Sequence, residues 1–240
     1  MQFDPIFEPA TLLRRYKRFL ADVVLSDGTE TTVHCPNPGA MLGVAPEGAR
    51  CWVSRSPNKN RKLPLTLEIV ECPGPTGPAL VGITTNTPNT LAVEAITSGL
   101  IAELPSDAPL RREVRYGEEK SRIDILLETP NPTYVEVKNC HLLRRDDGVT
   151  EFPDCVTARG LKHLRELMGV AAAGNRAVLL FIVQREDAVA LAPADDLDPA
   201  YGKGLRTAAE AGVEILAYRC AIAPEAITVR TAIPVKLTEM

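Results

Sequence analysis

The chain has no paired cysteines. Its six cysteines, Cys35, Cys51, Cys72, Cys140, Cys155 and Cys220, stand singly among 240 residues. That spacing gives no zinc ribbon, and the density is too low for a disulfide framework, so buried reduced thiols are expected. The three histidines, His34, His141 and His163, are too scattered to form a metal-spaced cluster. No Gly-Lys-Ser/Thr phosphate loop occurs, and Gly202-Lys203-Gly204 lacks the flanking context for one. No Ser or Cys sits in a nucleophile elbow, so nucleotide hydrolysis and elbow-type acyl chemistry are both disfavoured. No apolar run is long enough to span a bilayer and no charged-then-apolar leader opens the chain, so a cytoplasmic location without a membrane partner is expected. Positive charge is not in excess either: the net charge is -4, so nucleic acid would have to be met by a local basic patch. Repeats and low-complexity runs are absent.

What remains is a globular composition, 45% hydrophobic and 24% charged, long enough for one large domain or two ordinary ones. After a Pro-broken lead, residues 12–25 read as one apolar-basic run. Ser26-Asp-Gly-Thr29 marks a hairpin turn, and residues 30–35 a return strand. Residues 50–54 and 65–70 read as further strands, Ala40-Met-Leu42 as one helical turn, and Pro73 to Pro78 as a loop. Short strands between turn signals predict an all-β unit, most simply a barrel, up to about residue 85. From residue 86 the pattern changes. Asn89 or Thr90 can cap a helix from Leu91 to about Leu100. Strands follow near residues 113–116 and 177–184, with a helix over residues 157–173 between the central hairpin and the second of these. A helix at about residues 204–211 and strands at 213–218 and 227–233 complete an α/β unit, residues 86–240.

The chemistry concentrates in one hairpin of this second unit. Ser121-Arg-Ile-Asp-Ile-Leu-Leu127 and Tyr134-Val-Glu-Val-Lys138 flank a Pro/Asn turn. Residues two apart on a strand share a face, so Glu136 and Lys138 point the same way, and Asp124 joins them if the strands pair. Such a set can hold Mg²⁺ or Mn²⁺ through carboxylate oxygens, with Lys138 orienting a water or neutralising charge on a phosphate. The alternative is a solvated strand face. Glu94, among Val93, Ala95 and Ile96, is a candidate further metal ligand, or merely a boundary residue.

Basic residues cluster twice in the first unit: Arg14, Arg15, Lys17 and Arg18, then Arg55, Lys59, Arg61 and Lys62. Both can contact phosphates, with Tyr16, Phe19 and Trp52 as stacking faces, although Trp52 reads better as core. Arg159, Lys162 and His163 can steady a phosphate if the start of their helix faces the hairpin. Gln184 and Arg185 end an apolar strand, where α/β sheets place binding groups.

Several phrases together resemble the sugar fermentation stimulation protein A (SfsA) family. They are Arg15-Tyr-Lys-Arg-Phe-Leu-Ala-Asp22, His34-Cys-Pro-Asn-Pro-Gly39, Arg122-Ile-Asp124, Tyr134-Val-Glu-Val-Lys-Asn139, Phe152-Pro-Asp154 and Arg159-Gly-Leu-Lys-His-Leu164. Ala40 stands where the family often has Ser, and Cys140-His141 where Val-Thr is more usual. The resemblance implies an N-terminal OB-like barrel and a C-terminal α/β domain like the PD-(D/E)XK nucleases, with a mixed central sheet. It places the superfamily's catalytic set on Asp124, Glu136 and Lys138, with Glu94 as the additional acid. It also implies DNA binding of little sequence specificity and a regulatory role in sugar (maltose) use, with an active metal-dependent nuclease as the alternative.

Overall fold

Alternating apolar side chains draw the first third of the chain into strands that close on themselves. The computed structural model describes residues 1–238. β1 (Glu8–Tyr16) pairs with β2 (Leu20–Leu25) and with β4 (Arg50–Arg55); β2 pairs with β3 (Glu30–His34), and β4 with β5 (Leu65–Cys72), all antiparallel. A parallel bridge from His34 to Thr66 closes this ring, the five-stranded barrel of an OB fold. Leu12, Val23, Val33, Val53 and Leu67 fill its interior. β6 (Ala79–Gly82) extends β5 outside the ring.

Two local expectations fail here. Residues 12–25 are not one run: the chain reverses at Lys17 and Arg18, both with positive φ (48° and 62°). Neither Gly nor Pro marks that turn. Residues 40–42 form a turn rather than a helical turn, with Met41 at φ 53° and its amide donating to Asp154 Oδ2 (3.1 Å).

In the second unit β7 (Leu110–Tyr116), β8 (Ser121–Leu127), β9 (Thr133–Cys140), β11 (Arg176–Val183), β13 (Glu214–Ala223) and β14 (Ala226–Ala232) form one mixed sheet, ordered β14-β13-β11-β9-β8-β7. β9, β11 and β13 run parallel. Parallel neighbours need crossovers, supplied by α2 (Ala158–Ala172) and α3 (Pro199–Glu210). α1 (Thr87–Thr97) covers the opposite face. β11 shows why its sequence is apolar throughout: Leu179, Phe181 and Val183 face α2 and α3, while Val178, Leu180 and Ile182 face α1. A small parallel pair, β10 (Val149–Phe152) with β12 (Ala190–Pro193), lies beside the sheet.

Helix starts decide which side chains reach the site. α1 begins at Thr87 with Pro88 in its first turn, so neither Asn89 nor Thr90 caps it. α3 begins at Pro199, not near Gly204, because Asp198 caps it through Tyr201 N–H (3.0 Å). Asp198 Oδ2 also accepts from Thr157 N–H (2.8 Å), and Thr157 caps α2. One carboxylate therefore anchors the starts of two helices. Gly204 sits inside α3 because a Cβ there would come within 2.6 Å of Leu161 in α2.

The two units share a core. Trp52 and Ile69 on the barrel's outer face join Phe7, α1 and the sheet in one buried cluster, so Trp52 is core as expected. The first residues belong spatially to the second unit: Gln2 bridges to Ala226 and Phe3 N–H donates to Glu225 O (2.8 Å). Gln184 and Arg185 turn out to be ties between the units rather than ligand groups. Gln184 Nε2 donates to Thr84 O (2.9 Å), and buried Arg185 donates to Pro73 O (2.7 Å) and Asp187 Oδ1 (2.7 Å).

Candidate active site

The acid pair sits where a strand ladder opens. β8 and β9 pair up to Ile125 opposite Val135. Asp124 and Glu136 are the next residue on each strand, past the last pair. Val137 N–H donates to Asp124 Oδ2 (2.8 Å), so the side chain takes over where the backbone partner ends. Asp124 Oδ1 accepts from Asn89 Nδ2 (2.8 Å). Asn89, read from sequence as a cap, is instead the first-turn residue of α1 that orients this carboxylate.

Glu136 is only 2% exposed. Its Oε1 accepts from Lys138 Nζ (2.6 Å) and meets His163 Nδ1. Arg159 Nε reaches His163 Nε2 (3.4 Å), and Lys138 Nζ also lies 3.0 Å from His163 Nδ1, so ammonium, imidazole and carboxylate form one cluster. The other oxygen, Oε2, is buried with no partner among the described residues, as are the hydroxyls of Tyr116 and Tyr201. Both phenols pack in the cluster beneath α2 and α3, and burial, together with the Glu136 charge, raises their pKa.

The two carboxylates titrate in opposite directions. Burial pushes Asp124 above the usual carboxylate range, and the neighbouring Glu136 charge adds to it. Burial pushes Glu136 upward too, but hydrogen bonding from His163 and the Lys138 charge outweigh it, leaving Glu136 below its ordinary value. Two hard oxygen donors, one with an orphaned buried oxygen, suit a divalent cation such as Mg²⁺, Mn²⁺ or Ca²⁺. Among the described residues no cluster of three or more His, Cys, Asp or Glu side chains is placed to hold a metal, so protein ligation would rest on this pair.

Beyond Lys138 lies a cleft of about 450 Å³, walled by residues 137–142 and 151–155 on one side and by Arg18, Asn37, Pro38, Gly39 and Thr85 on the other. It lies at the carboxyl end of β9, where α/β sheets accept ligands. Gly39 lets the loop approach closely: a Cβ there would come within 2.4 Å of Asp154 Oδ2.

This joining of a closed barrel to a sheet with an acidic hairpin matches known domains. Residues 13–83 match the SfsA N-terminal OB domain, and residues 86–226 the sugar fermentation stimulation protein RE domain. The chain belongs to the sugar fermentation stimulation protein (SfsA) family. A sugar fermentation stimulation protein homolog of Rhodospirillum centenum is 54% identical over 229 residues, covering 95% of this chain and 96% of the relative. The Jannaschia homolog is 49% identical, covering 98% and 97%. The structure of Pyrococcus furiosus SfsA in complex with Ca²⁺ superposes with a TM-score of 0.83 at 27% identity, covering 98% of both chains.

Not all of the SfsA candidate residues converge. Glu94 is not brought to the pair. It lies half-exposed in an ion pair with the Met1 ammonium (2.6 Å). Five residues beyond Asn89, it is about 140° around the helix axis from the residue that faces Asp124. His163 is buried against Glu136, not offered to a phosphate; Arg159 at the same helix end is exposed. Arg15 is occupied, donating to the carbonyls of Asn37 (2.9 Å), Gly39 (2.9 Å) and Ala40 (3.3 Å). Arg14 pairs with Asp22 (2.9 Å) and Arg55 with Glu8 (3.1 Å).

Of the remaining basic residues, Arg61 reaches His34. It contacts Nδ1 (3.0 Å), and Phe19 stacks over the ring at 6.5 Å. His34 thus brings the loop of Arg61 beside the turn of Phe19, and Lys17, Arg18, Lys59 and Lys62, their neighbours in sequence, are exposed. Arg18 also lines the cleft.

Proposed function

We propose that this SfsA protein binds DNA, with little sequence preference, along the face from Lys59 and Lys62 through Phe19 and Arg18 to the cleft, and that the acid pair behind Lys138 hydrolyses a phosphodiester with a divalent cation. The observation that carries the second part is the buried Glu136 Oε2 beside Asp124, without a partner among the described residues, with Lys138 between the pair and the cleft. Leaving a carboxylate oxygen without a partner costs about 1–3 kcal/mol or more, a cost that a purely structural hairpin has no reason to keep. The Ca²⁺ in the Pyrococcus furiosus relative supports a hard-cation site in the fold.

Asp124 and Glu136 would hold Mg²⁺ or Mn²⁺, which when bound acidifies a water and clamps a phosphate oxygen. Asn89 and Val137 N–H keep Asp124 in one orientation. Lys138 places a positive charge against the phosphate as its own charge builds. A regulatory role in sugar use would act through this DNA binding.

The test is cleavage of labelled single-stranded, duplex and branched DNA and RNA with Mg²⁺, with Mn²⁺ and with EDTA. Metal-dependent cutting is expected. Binding on every substrate without cutting would leave a DNA-binding regulator. The basic face has its own measurement: Lys59→Glu with Lys62→Glu is expected to weaken DNA binding about tenfold or more and to flatten the log-affinity against log-salt slope by about 2. An unchanged slope would move the DNA path off this face.

A further inference from the structure

We propose that the cleft takes one unpaired nucleobase of a single-stranded nucleic acid, held between the Nε2–H of His141 and the carboxylate of Asp154, with its backbone directed at Lys138 and Arg18. This rests on the nucleic-acid reading above and narrows its substrate. Thr84 O can only accept, so the amide of Gln184 must point its nitrogen there (2.9 Å). The same Nε2 donates to Asn139 Oδ1 (2.9 Å), which fixes the Asn139 amide in turn. Asn139 Nδ2 is then the donor to His141 Nδ1 (3.1 Å). A neutral imidazole accepting at Nδ1 carries its proton on Nε2.

That Nε2–H is buried and has no partner among the described residues, although His141 lines the cleft and is only 6% exposed. Burial lowers the His141 pKa to about 4, so the ring presents a neutral donor at physiological pH. Asp154, which also lines the cleft and acts on His141 electrostatically, brings an acceptor in Oδ1, its Oδ2 already accepting from Met41 N–H (3.1 Å). A backbone phosphodiester has acceptors only and would be repelled by Asp154. The Watson–Crick edge of a base carries donors and acceptors side by side and fits both groups. Pro38 and Phe152 supply apolar walls for a flat ring. A cleft of about 450 Å³ has the size of a small-molecule pocket. A stacked, paired base cannot present that edge without being extruded, so a single strand is preferred.

The experiment is fluorescence anisotropy in EDTA at low salt, which needs no cleavage. Three labelled DNAs of equal phosphate number are compared: a single strand, a closed hairpin duplex, and an oligomer whose sugars are abasic. The single strand is expected to bind about tenfold tighter than either of the others. His141→Ala should weaken single-strand binding about fivefold, the size of one neutral hydrogen bond, and leave the abasic oligomer unchanged, which also shows that the variant is folded. His141→Gln, which restores a donor at that reach, should recover most of the loss. Equal binding of the single strand and the abasic oligomer, tighter binding of the duplex, or a His141→Ala loss shared by the abasic oligomer overturns the pocket and leaves DNA binding standing. Failure of all three DNAs to bind overturns both.

Discussion

Asp124→Asn is expected to lower metal-dependent cleavage by about a thousandfold or more while making the metal-free protein more resistant to unfolding at neutral pH. The first effect follows from the removal of one of two anionic ligands. Charge stabilisation by a bound metal is worth several kcal/mol in the transition state, and each 1.36 kcal/mol is tenfold in rate. The second follows from the direction in which Asp124 titrates. Its folded pKa lies above the ordinary value because of burial and the Glu136 charge. Ionising it therefore opposes folding at any pH above that raised value, and the neutral amide removes the penalty. The substitution also fits the local bonds. The introduced amide oxygen can still accept from Val137 N–H, and Asn89 can flip its own amide to accept from the introduced nitrogen, since an amide offers both roles. DNA binding measured in EDTA should be retained, because Asp124 carries no positive charge toward the phosphates. Cleavage rate, melting temperature and binding isotherm thus separate three readouts. Wild-type cleavage with Asp124→Asn would remove the acid pair from the chemistry.

What was legible in the sequence followed the short periods. Alternation over Ser121–Leu127 and Tyr134–Lys138 put Asp124 beside Glu136 and Lys138, and the strands do pair in that register. The barrel and the α/β unit were legible from turn signals and from the change of period near residue 85. The groups that complete the site were not, because each depends on contacts distant in sequence. Asn89 looks like a cap until Pro88 moves the helix start forward by a few residues, which turns Asn89 toward Asp124 and Glu94 away. The role of Arg15 is set by the loop at Asn37–Ala40, more than twenty residues on. His163 can steady a phosphate only if its helix end faces the hairpin, and a helix surface gives no clue that its ring lies against a buried carboxylate. The chain from Thr84 through Gln184 and Asn139 to His141 joins the interdomain segment to the ends of two strands, and no local pattern encodes it.

His141 also makes stability depend on pH in a way that one substitution can isolate. Its folded pKa is lowered to about 4, first by burial and further by Arg185 and Arg15, with Asp154 opposing. An unfolded chain returns the imidazole to about 6.5. Between these values the unfolded state holds a proton that the folded state does not, so unfolding becomes more favourable as pH falls from about 6.5 to about 4. At 1.36 kcal/mol per pH unit, the loss across that window is about 3 kcal/mol. Other groups act in the same window. The pKa of His34 is also lowered, by burial and then by Arg61, and adds to the loss; Glu136 loses its own stabilising ionisation at the acid end. The quantity to compare is therefore the slope of unfolding free energy against pH, measured by urea denaturation from pH 7 to pH 4, in the wild type and in His141→Gln. The variant should show a shallower fall, by about 3 kcal/mol over the range, whatever its stability at pH 7. Parallel curves would mean that the ring takes up a proton in the folded state as easily as in the unfolded one. In that case Nε2 would be open to solvent, and the neutral donor assigned to the cleft would be lost with it.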